Sequence, residues 1–223
     1  MRNDQVELET LVGAIQSGPT EDTRGGGHSA AKLIYDLVDG RIVMAKTDDG
    51  NPETTKKVHR EVAAFKIAEL MGCSHLLART WAARVPDLGG NEVNAAVIAI
   101  WPDNEIQPPV PHDQLNDLDV WWTACFDAVI LQTDRDGNWG TAPDGKTPRL
   151  FDHGNAFDMG GPGSHFYNMK IDQDIPAEIK AGLQNLLDDG ESAGLKDLLP
   201  PGEYDSVVKR VQALLQSGKL RLQ

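Results

Sequence analysis

Four prolines fall at positions 102, 108, 109 and 111, and neither a helix nor a central strand survives that density. Residues 102–111 therefore read as a connection, and they divide the 223-residue chain into halves of different pattern. Before them the apolar runs are short and rich in Val and Ile. Beyond them the apolar residues take helical spacing. The expectation is a segregated α+β chain, with a strand-rich part of residues 1–103 that holds one helix and a helical part of residues 104–223.

Within the first part, residues 31–38 and 41–46 are strand-like and flank Asp39-Gly40, the signal of a two-residue hairpin. Lys46 closes the second of these strands. Residues 17–24 read as a loop by composition. Thr54 or Thr55 is placed to cap a helix that runs to Met71 and stops at Gly72, with Val62, Ala63, Ile67 and Leu70 on its apolar side. Residues 79–85 and 93–101 are two further strands, the second apolar throughout as a buried strand is. In the second part, residues 120–131 form a strongly apolar helix carrying Trp121 and Trp122, at least one of them a core residue. Residues 134–145 are a polar, Gly-rich loop, and Leu150-Phe151 is a short apolar step into Asp152. Residues 176–187 and 204–215 are amphipathic helices, the second preceded by Pro200-Pro201-Gly202.

Charge narrows the partners. Lys and Arg number 21 against 34 Asp and Glu, a net charge of −13, which argues against nucleic acid and against docking on an anionic membrane. No apolar run approaches the ~18 residues of a membrane span. Met1-Arg2-Asn3-Asp4 leads into acidic sequence rather than a signal-peptide core, so a cytoplasmic protein is expected. Cys73 and Cys125 stand far apart in apolar contexts and suggest no disulfide. The histidines (28, 59, 75, 112, 153, 165) show no zinc spacing. Walker A, H-E-x-x-H, C-x-x-C and G-x-S-x-G motifs are absent.

Phosphoryl transfer from a nucleotide needs a polyphosphate cradle, oxygen ligands for a divalent cation and a group that orients the attacking hydroxyl. Four features occur in an order that suits it. Gly25-Gly26-Gly27-His28-Ser29 precedes a strand and can bring backbone N–H groups to phosphate oxygens; its rival reading is a surface loop. Lys46 can reach phosphates from its strand end, or be merely solvated there. Glu61, on the following helix, can pair with Lys46, or be an ordinary surface carboxylate. The most specific feature is Asp134-Arg135-Asp136-Gly137-Asn138-Trp139 followed by Phe151-Asp152-His153-Gly154-Asn155-Ala156-Phe157. It supplies a base, a metal-binding amide and a metal-binding carboxylate in chain order, against the rival of two Asp-Gly turns. A calcium loop starting at Asp134 is a further rival, but Trp139 and Gly145 stand where such a loop needs Gly and Glu.

Together these residues resemble the atypical kinases related to phosphatidylinositol kinases and to HipA-type bacterial kinases. The family's D-R-x-x-x-N segment is matched by Asp134-Arg135…Asn138, its Asp-His-Gly segment by Asp152-His153-Gly154, and its R-E-x-x-A helix by Arg60-Glu61-Val62-Ala63-Ala64. The resemblance spans roughly residues 20 to 215. It implies a two-lobed protein-kinase-like fold that uses ATP and Mg²⁺. It further implies that Asp134 orients or deprotonates the acceptor hydroxyl, that Asn138 and Asp152 hold the metal, and that Lys46, set by Glu61, contacts the α/β-phosphates. Gly26, Gly27, His28 and Ser29 would cover the phosphates, Ile100 and Trp101 would line the adenine hinge, and Arg135 would brace the loop. The family places its amide five residues after the aspartate, and here the interval is four, so Asp136 is a candidate substitute ligand. The expected acceptor is a Ser/Thr hydroxyl of a protein, this chain included. A nucleotide- or protein-binding pseudokinase and a lipid or small-molecule kinase are the alternatives.

Overall fold

The computed structural model describes residues 15–21, 32–37, 41–101, 105–157 and 161–222. The chain forms two compact units, one of residues 1–62 and 79–100, the other of residues 63–78 and 101–223.

The first unit is an antiparallel sheet of β1 (Ile15–Glu21), β2 (Lys32–Leu37), β3 (Ile42–Thr47), β4 (Thr80–Pro86) and β5 (Glu92–Ala99), in the order β1-β2-β3-β5-β4. Strand β1 corrects the loop reading of residues 17–24 over residues 17–21. It lies at the sheet edge, and its register slips between Ile15 and Ser17 and between Ser17 and Thr20. Edges and irregular registers are where a strand tolerates Gly18 and Pro19. Leu37 N–H donates to Arg41 O at 2.9 Å, continuing the β2–β3 pairing. The conformation of Asp39-Gly40 lies outside the described residues. Leu33, Tyr35, Val43, Ala45, Val85 and Val97 share odd numbers and one buried cluster, as a period of two dictates. Lys46 has the other parity and projects from the opposite face of β3.

Helix α1 (Pro52–Met71) starts earlier than the threonine caps suggest. Asn51 Oδ1 accepts the Glu53 N–H at 3.0 Å, and Pro52, which lacks an N–H, takes the first helical position. Gly72 ends the helix at φ +88°, a conformation that glycine adopts without strain. Residues 63–78 group with the C-terminal unit, because Ala63, Ala64, Ile67, Ala68 and Met71 are buried in that unit's core.

The second unit is built around α2 (Asp117–Ile130), which is buried from Asp119 to Ile130. Asn116 caps it by accepting the Leu118 N–H at 3.0 Å. Helices α3 (His165–Lys170), α4 (Ala177–Asp189) and α6 (Pro201–Ser217) contact it, and α5 (Leu195–Leu198) contacts α6. Trp121 and Trp122 are both buried. The stretch read as loop 134–145 contains half of a short ribbon, β6 (Trp139–Thr141) paired with β7 (Pro148–Leu150). Gln107, in the proline-rich connection, exchanges both backbone bonds with Thr141, at 2.7 and 2.9 Å. Among the described residues no helix is long and apolar enough to cross a membrane.

Candidate active site

In the first unit, Lys46 and Glu61 form a buried ion pair, their side chains 6% and 2% exposed. Strand parity turns Lys46 away from the apolar cluster, and α1 presents Glu61 to it. Ile100, just past β5, donates its N–H to Ile42 O at 3.1 Å. Gly26, Gly27, His28 and Ser29 lie outside the described residues.

The second unit gathers the remaining candidates. Helix α2 ends at Leu131, which adopts the left-handed conformation at φ 50° and turns the chain sharply into Gln132-Thr133-Asp134. Residues Arg135–Gly137 form one 3-10 turn, closed where Asn138 N–H donates to Arg135 O at 2.8 Å. That tight turn is how a four-residue interval returns Asn138 toward Asp134. Asn138 Nδ2 donates to Asp134 O at 2.9 Å, which orients the amide by its nitrogen. Its Oδ1, the atom able to bind a cation, receives no hydrogen bond among the described residues.

Arg135 holds this loop from below. The guanidinium and its partner Asp127, on α2, are both fully buried. Nη2 and Nε donate to Asp127 Oδ1 at 2.9 and 3.1 Å. Nη1 donates to Asn138 O at 2.9 Å and to Phe151 O at 3.2 Å. One side chain therefore fastens the helix, the Asp134 loop and the Asp152 segment together, as only a planar fork of donors can.

Gln132 makes the second link. It is fully buried, and its Nε2 donates to Asp134 Oδ1 at 2.9 Å and to Asp152 O at 3.1 Å. Asn155 Nδ2 donates to Asp134 Oδ2 at 3.1 Å. Both oxygens of the Asp134 carboxylate thus accept amide N–H groups, which fixes its plane. Asp152 has φ 56° and Phe157 φ 68°, so with Leu131 three of the four positive-φ non-glycine residues described belong to this site. Backbone strain held by surrounding bonds is typical of functional sites. The strained segment is pinned at its far end by Phe157 N–H to Ile130 O at 2.6 Å. His153 is buried and meets the Phe126 ring edge-on at 5.6 Å.

Asp136 points elsewhere: its Oδ1 accepts the His165 N–H at 3.2 Å. Trp101 lies under the Arg149 guanidinium, 5.0 Å from its carbon. Among the described residues no group of three or more His, Cys, Asp or Glu is gathered as a metal cluster. The calcium-loop alternation of Asp134, Asp136 and Asn138 is thereby given to different donors. A set of one carboxylate and one amide oxygen, Asp152 and Asn138, suits instead a hard cation that takes its other ligands from phosphate and water.

Sequence reasoning missed Asp127, Gln132 and Asn155. The one available signal was Asp127 itself, an acid inside the apolar run Cys125-Phe126-Asp127-Ala128-Val129, where burial demands a partner.

No protein-family model and no curated protein sequence matches the chain. Solved structures do. The crystal structure of the Golgi casein kinase with Mn/ADP bound superposes with a TM-score of 0.56 at 12% identity, over 97% of this chain and 76% of that one. A second structure of the Golgi casein kinase gives 0.57 at 12%, over 97% and 75%. The Helicobacter pylori proinflammatory kinase CtkA gives 0.49 at 11%, over 92% and 94%. At such identities the likeness is one of fold, and the Golgi casein kinase structures make the fold of this chain α+β and protein-kinase-like.

Proposed function

We propose that the chain is an ATP- and divalent-cation-dependent phosphotransferase, related to the phosphatidylinositol-kinase and HipA-type kinases, whose acceptor is a Ser/Thr hydroxyl of a protein. The observation that carries this reading is the double fastening of Asp134 and Asp152. Arg135 ties the backbones on which Asn138 and Asp152 sit, and Gln132 ties the Asp134 side chain to the Asp152 backbone. Catalysis of phosphoryl transfer is mostly positioning and charge stabilisation, so a rigid pair of carboxylates with an amide between them in the chain is what it requires.

In this reading the Asp134 carboxylate accepts a hydrogen bond from the acceptor hydroxyl. Amide N–H groups on both of its oxygens hold that carboxylate in one orientation, so it positions the hydroxyl for attack. Asn138 Oδ1 and the Asp152 carboxylate are the cation's protein ligands. A bound Mg²⁺ or Mn²⁺ would neutralise charge on the β- and γ-phosphate oxygens. Lys46, its ammonium held by Glu61, contacts the α/β-phosphates; Gly26 to Ser29 cover them, and Ile100 and Trp101 flank the adenine. Acidic charge favours protein over nucleic acid or an anionic membrane as partner. Free, buried Cys73 and Cys125 suit a reducing, cytoplasmic setting.

The test is mass spectrometry of the purified chain after incubation with ATP and Mg²⁺ or Mn²⁺, with and without a generic protein acceptor. Gain of phosphate that disappears in both Asp134→Asn and Asp152→Asn, with folding retained, is expected. Transfer that survives in both variants rejects the assignment. The four-residue Asp134–Asn138 interval favours one second reading, a pseudokinase. Thermal stabilisation by ATP and Mg²⁺ with no phosphate transferred would select it.

A further inference from the structure

Gly163 and His165 meet the loop that carries Asp134, Ser164 between them meets Asp127 on α2, and no role in the proposed chemistry uses them. Gly163 N–H donates to Gln132 O at 2.9 Å. A Cβ at Gly163 would stand 2.3 Å from Thr133 O, a distance that no real carbon–oxygen contact sustains. Ser164 Oγ donates to Asp127 Oδ2 at 2.5 Å, on the same carboxylate that holds Arg135. Ser164, Asp127 and Arg135 are all fully buried. His165 N–H donates to Asp136 Oδ1 at 3.2 Å. The three bonds address the backbone before Asp134, the ion pair beneath it and the side chain two residues after it.

We propose that residues 163–165 form a clasp that positions Asp134, with Ser164 as its anchoring side chain and Gly163 as the point where loop and clasp touch. The proposal rests on the phosphotransferase reading above. Starting α3 would not by itself require this arrangement. A helix start needs the Ser164 cap, which accepts the Tyr167 N–H at 3.4 Å, but it needs neither bare backbone against Thr133 nor a second bond to Asp127. The clasp also gives Asp136 its occupation: the carboxylate serves the His165 N–H, and Asn138 is left as the loop's cation ligand. A shift of the clasp by a fraction of its 2.9 Å bond moves Gln132, and Gln132 holds the Asp134 carboxylate.

The experiment compares the full chain with Gly163→Ala and Ser164→Ala by amide hydrogen exchange and by steady-state transfer kinetics. Loss of a hydrogen bond to a charged group predicts exchange in residues 131–138 faster by roughly tenfold or more. Exchange in residues 177–189 and 201–217 should stay unchanged. Displacement of the orienting carboxylate predicts kcat lower by about 10²-fold with the KM for ATP unchanged. Unchanged exchange in residues 131–138 would overturn the clasp. So would loosening spread evenly over the unit, or loss of ATP affinity in step with kcat, since those mark general destabilisation. Should Gly163→Ala fail to fold, Ser164→Ala, which removes one hydroxyl, decides alone. Exchange is read without turnover. A wild-type chain that transfers no phosphate would therefore reject the proposed function, while the clasp is still judged by exchange.

Discussion

The two units each bury an ion pair, and the pairs are built on opposite plans. Lys46 and Glu61 join a strand to a helix through an ammonium, a point charge on a flexible stem. Asp127 and Arg135 join a helix to a loop through a planar fork, and each of the three guanidinium nitrogens meets a named acceptor. An ammonium can exchange partners without leaving its place. A guanidinium bound in this way cannot. The second arrangement fastens backbone; the first leaves the ammonium that the proposed function assigns to phosphate. Burial is common to both pairs, and the shape of the cation differs.

The largest effect expected from this comparison is on folding. Asp127→Ala leaves a guanidinium uncompensated in a site with no exposure, which should cost about 3–5 kcal/mol in urea unfolding. A loss under about 1 kcal/mol, the value of a surface pair, would break the comparison. Next is the double variant Asp127→Leu with Arg135→Met. Buried pairs replaced by apolar residues often return to full stability. Here the Phe151 carbonyl would lose its Arg135 donor and the Asn138 carbonyl would keep only the Phe151 N–H at 3.2 Å, so a deficit of about 1 kcal/mol or more should persist. Full recovery would mean that those carbonyls find other donors and that the fork is not what holds them.

Reciprocal swaps sharpen the contrast. Arg135→Lys keeps the charge but cannot span Asp127 and two carbonyls, so it should lose about 1–3 kcal/mol of stability. Lys46→Arg also keeps the charge, and its effect should fall on phosphate transfer, lowered about tenfold or more, with the melting temperature little changed. Equal effects of both swaps on stability would erase the distinction between the two pairs.

The same contrast separates what the sequence discloses from what it hides. Lys46 and Glu61 are legible as a pair because one stands near the end of a strand and the other on the helix that follows, a short-range pattern. The Asp134–Asn138 and Asp152 segments are legible because Asp, Gly and Asn cluster where a helix and a short strand stop. Asp127 and Ser164 are not legible together: 37 residues separate them, and each satisfies an ordinary local role, one in a helix and one at a helix start. Gln132 hides for another reason. Its importance depends on Leu131 taking a left-handed turn, a conformation that nothing about leucine announces. Strand β1 was lost because its Gly18 and Pro19 are tolerated only at a sheet edge, and edge position is a property of the assembled sheet.

The smallest effect concerns a group beside the fastened loop. The His112 ring meets that of His165 at 4.4 Å and packs against Trp139 and Phe166 at 5.1 and 4.9 Å, with its Nε2 buried and without a hydrogen-bond partner among the described residues. Burial, and then the nearby His165, hold its pKa below the ordinary value, while Asp136 and Asp113 pull the other way. The sign follows from proton uptake. Between the depressed folded value and the ordinary ~6.5, the unfolded chain binds the proton and the folded chain does not. Stability from this residue is therefore complete above about pH 6.5 and falls as the pH drops toward the folded value. His112→Phe keeps an aromatic ring against Trp139 and Phe166 and removes the titration. The melting temperature of the wild type minus that of His112→Phe should fall between about pH 7.5 and 5.5, because the acid-induced loss is confined to the wild type. Parallel curves would show that His112 titrates alike in the folded and unfolded chain, and that its burial against Trp139 and Phe166 does not favour the neutral ring.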